Sequence, residues 1–225
     1  MPFRDREDAG KRLAGLLGKY RDEKPVVLGL PRGGVPVAYE VARALDAPLD
    51  VFVVRKLGAP FQPELGIGAI AEGGVVVLDE RASALGISES EIDEIRDRET
   101  KELERRVRRF RGGRPPPRLE GRTVILVDDG IATGGTARAA ARAARMLHPR
   151  KLVLAAAVAS ADTVEALRSE VDDLVCAETP TDLWAIGLWY QDFQQVRDEE
   201  VAEVLERARR ESGAGAEEGA EAGPS

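Results

Sequence analysis

Two adjacent carboxylates, Asp128 and Asp129, stand just ahead of a glycine- and threonine-rich turn in the stretch Val124 to Thr136, VILVDDGIATGGT. Carboxylates so paired can accept hydrogen bonds from neighbouring sugar hydroxyls. Gly130, Gly134 and Gly135 let the chain turn tightly, because glycine alone tolerates left-handed backbone at little cost. The Ala-rich run from Ala137 to Leu147 that follows is a strong helix former. Free N–H groups at that helix start, beside the Thr133 and Thr136 hydroxyls, would make a phosphate cradle. A ribose 5-phosphate meets both demands, with its 2- and 3-hydroxyls on the carboxylates and its phosphate on the turn. Gly130 and Gly135 also have P-loop spacing, but Thr136 stands where that motif needs lysine.

Such chemistry requires a rigid support, and the sequence supplies it. Thr123 to Val127 is a short β-branched and aliphatic run suited to the middle of a parallel sheet. Its carboxyl end, where ligands bind in open α/β sheets, then presents the two Asp side chains. An earlier joint repeats the plan: strand Val26 to Leu30, turn Pro31-Arg32-Gly33-Gly34, and a helix from about Val35 to Leu45. That turn reads equally as a plain turn or as a second anion loop. Leu49 to Val54 is the next strand, apolar apart from Asp50, and ends in Arg55-Lys56. These cations suit an anionic substrate, or are solvated surface charges. Leu57 to Gly66, with two prolines and no periodicity, reads as a loop whose only carboxylate is Glu64. Gly68 to Ala71 with Val75 to Leu78 reads as a hairpin.

The segment Asp128 to Thr136 resembles the phosphoribosyl diphosphate (PRPP) loop of type I phosphoribosyltransferases, and its DDxxATGGT wording is most similar to the adenine phosphoribosyltransferase version. The resemblance runs roughly from Val26 to Val158 and weakens beyond it. It implies one α/β domain, a mostly parallel twisted sheet flanked by helices, with a small C-terminal hood. It implies PRPP bound as a Mg²⁺ complex, the cation held mainly by substrate oxygens and water and by no protein cluster. The ribose and 5-phosphate would lie on Asp128, Asp129, Ile131, Ala132, Thr133, Gly134, Gly135 and Thr136, and the pyrophosphate on Pro31, Arg32, Gly33, Gly34, Arg55 and Lys56. A non-trans peptide is implied at Pro31-Arg32, and Leu57 to Gly66 falls where the family has a mobile loop over PRPP.

Asp128, Asp129, Arg32 and Glu64 are the residues the resemblance makes catalytic. Hypoxanthine-guanine members carry a carboxylate where this chain has Ala132, so that route to the base is closed. Adenine-type members use a Glu on the mobile loop, and Glu64 is the candidate in the matching place. Trp184, Tyr190 and Phe193 concentrate the aromatics of a chain with only 4% of them. They are either a hydrophobic cluster at the C-terminal edge or the hood that stacks an acceptor. The activity implied is transfer of phosphoribose from PRPP to a nucleobase or base-like acceptor with release of pyrophosphate. A PRPP-sensing regulator without transfer, and a hydrolytic or phosphorolytic enzyme on a phosphorylated sugar, are the other readings.

The remaining composition narrows the setting. With 225 residues and 43% hydrophobic content the chain can bury a core as one domain. The expected organisation is a domain over residues 1–211, with an inserted helix at 88–110 and a hood at 180–195, then a disordered tail at 212–225. A net charge of -7 disfavours general nucleic-acid binding. No apolar run reaches membrane-spanning length and the start is too charged for a signal peptide, so the expected location is cytoplasmic. Cys176 is the single cysteine, and His148 the single histidine, at a helix end. Ser88 to Phe110 is a long charged helix, with Ser88 and Glu91 as a capping box and a thin apolar stripe from Ile92 to Phe110. That stripe offers a face for a homodimer or for packing within the chain. Its arginines, Arg105 to Arg114, fit a solvated helix end better than an RNA contact.

Overall fold

Short apolar runs with β-branched residues on both faces become five parallel strands. The structure, a computed structural model, describes residues 2–79 and 85–218, without the side chains of residues 63, 64 and 213–218. The central sheet comprises β1 (Val26–Gly29), β2 (Leu49–Val51), β6 (Thr123–Asp128), β7 (Lys151–Val158) and β8 (Asp173–Glu178), in the order β2-β1-β6-β7-β8. Every pairing in it is parallel. Alternate residues face two cores, as strands covered on both sides must. Val27, Val51, Ile125, Val127 and Val153 pack against helices α1 (Arg6–Leu17) and α2 (Gly34–Leu45). Val26, Leu28, Val124, Leu126 and Leu152 pack on the other side, against the alanines of α4 (Gly135–Arg145) and against α5 (Ala161–Leu167).

A second sheet, antiparallel, joins β3 (Val54–Ala59), β4 (Gln62–Ala71) and β5 (Val75–Leu78). It corrects two expectations. The expected strand Leu49 to Val54 is broken at Phe52 and Val53, whose N–H groups go to the Gly29 carbonyl and the Glu72 carboxylate. Arg55 and Lys56 therefore lie inside β3, opposite Ile70 and Ala69, rather than at the carboxyl end of a strand. The expected loop Leu57 to Gly66 is instead the hairpin of β3 and β4. Its prolines and glycines hide the alternation, yet Leu57 and Ile67 bury a small separate core with Ile95. The hairpin of β4 with β5 is as expected.

Helix α3 (Glu89–Arg111) starts at the Ser88–Glu91 capping box and stops where Gly112 turns left-handed at φ 63°. Its stripe packs within the chain: Ile95, Leu103 and Phe110 are buried, the last two in the core shared with α6 (Asp198–Glu218). Helix α6 extends to Glu218, across the start of the segment expected to be a tail; residues 219–225 lie outside the described residues. Cys176 sits half-buried on β8, where burial pushes its thiol up to about 11. Among the described residues no helix is long and apolar enough to cross a membrane.

Candidate active site

The chain leaves β1 for β2 on one side of the sheet and leaves β6 for β7 on the other, so the adjacent strands β1 and β6 frame the switch point. Such a point opens a crevice at the carboxyl ends of the strands. Both chemistry-bearing turns lie there, in contact. A Cβ on Gly33 would fall 2.0 Å from Asp129 Oδ2, and one on Gly34 would fall 2.4 Å from the Val127 carbonyl and 3.0 Å from Asp128 Cα. Only glycine fits at Gly34, and a side chain at Gly33 would have to displace the Asp129 carboxylate. The peptide between Pro31 and Arg32 is cis, the arrangement the resemblance implied.

The two carboxylates are held differently. Asp128 is half-buried and its Oδ1 accepts from the Asp129 N–H at 2.9 Å. Burial, and next the Asp129 charge beside it, raise its pKa well above the usual carboxylate value. Asp129 Oδ2 accepts from Arg6 Nε at 2.8 Å, and its main-chain carbonyl accepts from the Tyr190 hydroxyl at 2.6 Å. Arg6 also donates through Nη1 to the Gln194 carbonyl at 2.7 Å and lies 4.1 Å over the Phe193 ring. Burial, mainly, raises the Tyr190 pKa and keeps its hydroxyl protonated as a donor.

Beyond the carboxylates the chain rises into α4. Gly134 takes φ 77° at its N-cap and no side chain caps the helix, leaving N–H groups and the positive dipole end for an anion. The turn is anchored from below, with Ile131 N–H on the Val158 carbonyl at 2.8 Å and the Thr163 hydroxyl on the Ala132 carbonyl at 2.9 Å. Thr133, Gly135 and Arg138 at this helix start face Lys56, Gly66 and Ala69 of the antiparallel sheet across a cavity of about 400 Å³. Lys56 thus lines the same cavity as Thr133 and Gly135.

Other expected residues lie further out. Arg55 is bound to Glu99 of α3, at 2.9 Å through Nε and 2.5 Å through Nη2. Arg32 sits 3.7 Å from Asp198 at the start of α6, and Pro31 lies in the same turn. The backbone of Glu64 belongs to β4, but its side chain falls outside the described residues. Tyr190 is buried with Phe3 beneath the 3₁₀ turn Ile186–Trp189, Phe193 is partly covered by Arg6, and Trp184 is 89% exposed. The aromatic stretch therefore divides between a cluster and an open surface. Sequence reading missed Arg6, which is 123 residues from Asp129 and carries no motif; only the wealth of aromatics at its partner segment hinted at a docking partner.

The phosphoribosyl transferase domain model matches residues 5–192. The chain is 49% identical over 210 residues to the Mycobacterium tuberculosis (strain H37Rv) protein named "Putative phosphoribosyl transferase Rv0571c", and the match covers 93% of this chain. It spans about half the length of that relative, 47%. A crystal structure of TT1426 from Thermus thermophilus superposes with a TM-score of 0.84 at 45% identity, covering 91% of this chain and 98% of that one. The fold, the paired turns at the switch point and these matches together make the chain a member of the type I phosphoribosyltransferase family.

Proposed function

We propose that the protein transfers the 5-phosphoribosyl group from Mg²⁺-PRPP to a nucleobase or base-like acceptor and releases pyrophosphate. The observation that carries this reading is the contact of the Gly33-Gly34 turn with Asp129 and Asp128, beside the uncapped start of α4. One crevice then offers an amide-rich turn for a diphosphate, two carboxylates for ribose hydroxyls and a helix start for a terminal phosphate.

In this mechanism the 5-phosphate sits on Thr133 to Thr136, with Lys56 across the cavity as its counter-charge. Asp128 and Asp129 accept from the ribose hydroxyls and lie close to the ring as positive charge develops on it. The Gly33 amide and the Arg32 side chain receive the departing diphosphate, the Gly34 N–H being held by the Leu30 carbonyl. Arg55, already committed to Glu99, contributes to the field of that wall. Mg²⁺ neutralises charge on the diphosphate when bound. Among the described residues no group of three or more ligating side chains gathers. Asp129 Oδ2 is already engaged by Arg6, so the fit is to a cation carried mainly by PRPP oxygens and water. The acceptor would approach from the side of Tyr190, Phe193 and Trp184. Glu64 is the candidate base. The enzyme works by position and field rather than by covalent chemistry, in a cytoplasmic setting.

Calorimetric titration with PRPP and Mg²⁺, followed by pyrophosphate release against purines, pyrimidines and small amines, tests the reading. Binding with acceptor-dependent release is expected. Binding without release for any acceptor would turn the reading towards a PRPP sensor, and no binding would overturn it. Glu64→Gln in the same release assay is expected to slow turnover; intact turnover removes Glu64 from the mechanism.

A further inference from the structure

The carboxylate meant for the ribose is gripped by a side chain from the other end of the chain. Residues just before α1 run alongside the segment after β8: Phe3 N–H bonds to the Trp189 carbonyl at 2.7 Å, Gln191 N–H to the Phe3 carbonyl at 2.8 Å and Asp192 N–H to the Arg4 carbonyl at 2.8 Å. Phe3 is fully buried under this clamp, its ring 5.2 Å from that of Tyr190. The next turn of chain delivers Arg6, first residue of α1, into the space between Asp129 and Phe193.

A guanidinium only 13% exposed is costly to desolvate, so its partners matter. Nε serves Asp129 Oδ2, Nη1 serves a carbonyl of the clamp, and the flat face rests on Phe193. Gly33 closes against the whole carboxylate, a Cβ there falling 2.0 Å from Oδ2 and 2.8 Å from Oδ1. With Oδ2 bonded to Arg6, Oδ1 is the oxygen through which the carboxylate would accept from a hydroxyl. Arg6 is also, among the described residues, the one cation within ion-pair distance of either Asp128 or Asp129.

We infer that Arg6 is a positioning residue of the transfer site: it holds the Asp129 carboxylate in one orientation for the ribose hydroxyls and couples that orientation to the wall formed by Tyr190 and Phe193. The inference rests on the PRPP reading above. Fixing a carboxylate through a second hydrogen-bonded partner is how sites limit the freedom of a group that touches ligand. A forked, stacked guanidinium does this where an ammonium cannot.

The test is Mg²⁺-PRPP titration of the wild type, Arg6→Gln, Arg6→Lys, Asp129→Asn and the double variant Arg6→Gln/Asp129→Asn, each checked by thermal melting. Arg6→Gln is expected to weaken PRPP binding about tenfold, the usual scale for losing a hydrogen bond to a charged group. Arg6→Lys should fall between it and the wild type. In the Asp129→Asn background, Arg6→Gln should add less than about a twofold loss, because neighbours acting through one another are not additive. In turnover, the loss should appear in KM for PRPP; a merely structural Arg6 would lower the active fraction, and so kcat, at unchanged KM. If Arg6→Gln melts too low to assay, Arg6→Lys carries the test, and wild-type affinity in it overturns the inference. Unchanged or tighter binding by Arg6→Gln, which would make Arg6 a plug instead, also overturns it, as do multiplicative losses in the double variant. A wild type that fails to bind PRPP overturns the functional reading and the inference with it.

Discussion

Asp128 shows how a site stores cost in a single residue. Burial and the Asp129 charge raise its pKa, so the folded protein holds this proton more tightly than the unfolded chain does. Where the folded state binds more protons, stability falls as pH rises. The loss begins near the ordinary Asp value of about 4 and is complete above the raised folded value. Asp128→Asn keeps an acceptor for the Asp129 N–H and removes the charge. It should melt above the wild type at pH 7.5, by about 2–4 °C for each kcal/mol released at this chain length, with the gap closing near pH 4. The same variant should lose PRPP binding. Calorimetric melts at both pH values check this, and a gap that does not widen with pH would sink the argument.

At the scale of elements, α3 fastens the antiparallel sheet to the core. Arg111, on its last turn, is 1% exposed; it donates to Asp50 in the middle of β2, to the Val51 carbonyl and to Glu72 just after β4. Burial raises the Asp50 pKa while Arg111 opposes the rise. Taking Arg111 away would strand two buried carboxylates, a change that typically costs about 3–5 kcal/mol. Arg111→Met should therefore show a matching loss in urea unfolding, whereas Arg111→Met with Glu72→Gln should recover part of it. If the single variant costs under about 1 kcal/mol, the bridge between α3 and the sheet is solvated and does not fasten it.

At the scale of the whole molecule, the two sheets bury unequal cores. The parallel sheet fills large clusters on both faces, while β3, β4 and β5 share a small cluster centred on Leu57, Ile67 and Ile95. Regions with few buried apolar contacts open first. Amides of β3 to β5 should exchange hydrogen faster than those of β1, β6 and β7, and PRPP with Mg²⁺ should slow β3 to β5 most, since Lys56 faces Thr133 and Gly135 across one cavity. Exchange as slow in β4 as in β6 would contradict this division. The same division explains what could be read in advance. The strand-turn-helix joints at Val26 to Leu45 and Thr123 to Leu147 were legible because each is contiguous: apolar strand, glycine turn and helix former sit side by side and act through local backbone preference. The sequence alone thus determined the parallel α/β plan, the paired carboxylates and the glycine turn that follows them. Only the tertiary structure decided that Leu57 to Gly66 is a hairpin, that Arg55 goes to Glu99 and Arg32 to Asp198, and that Arg6 reaches Asp129. Those outcomes depend on strand register and on ion pairs between distant segments, and the chain must close before any of them has a partner to choose.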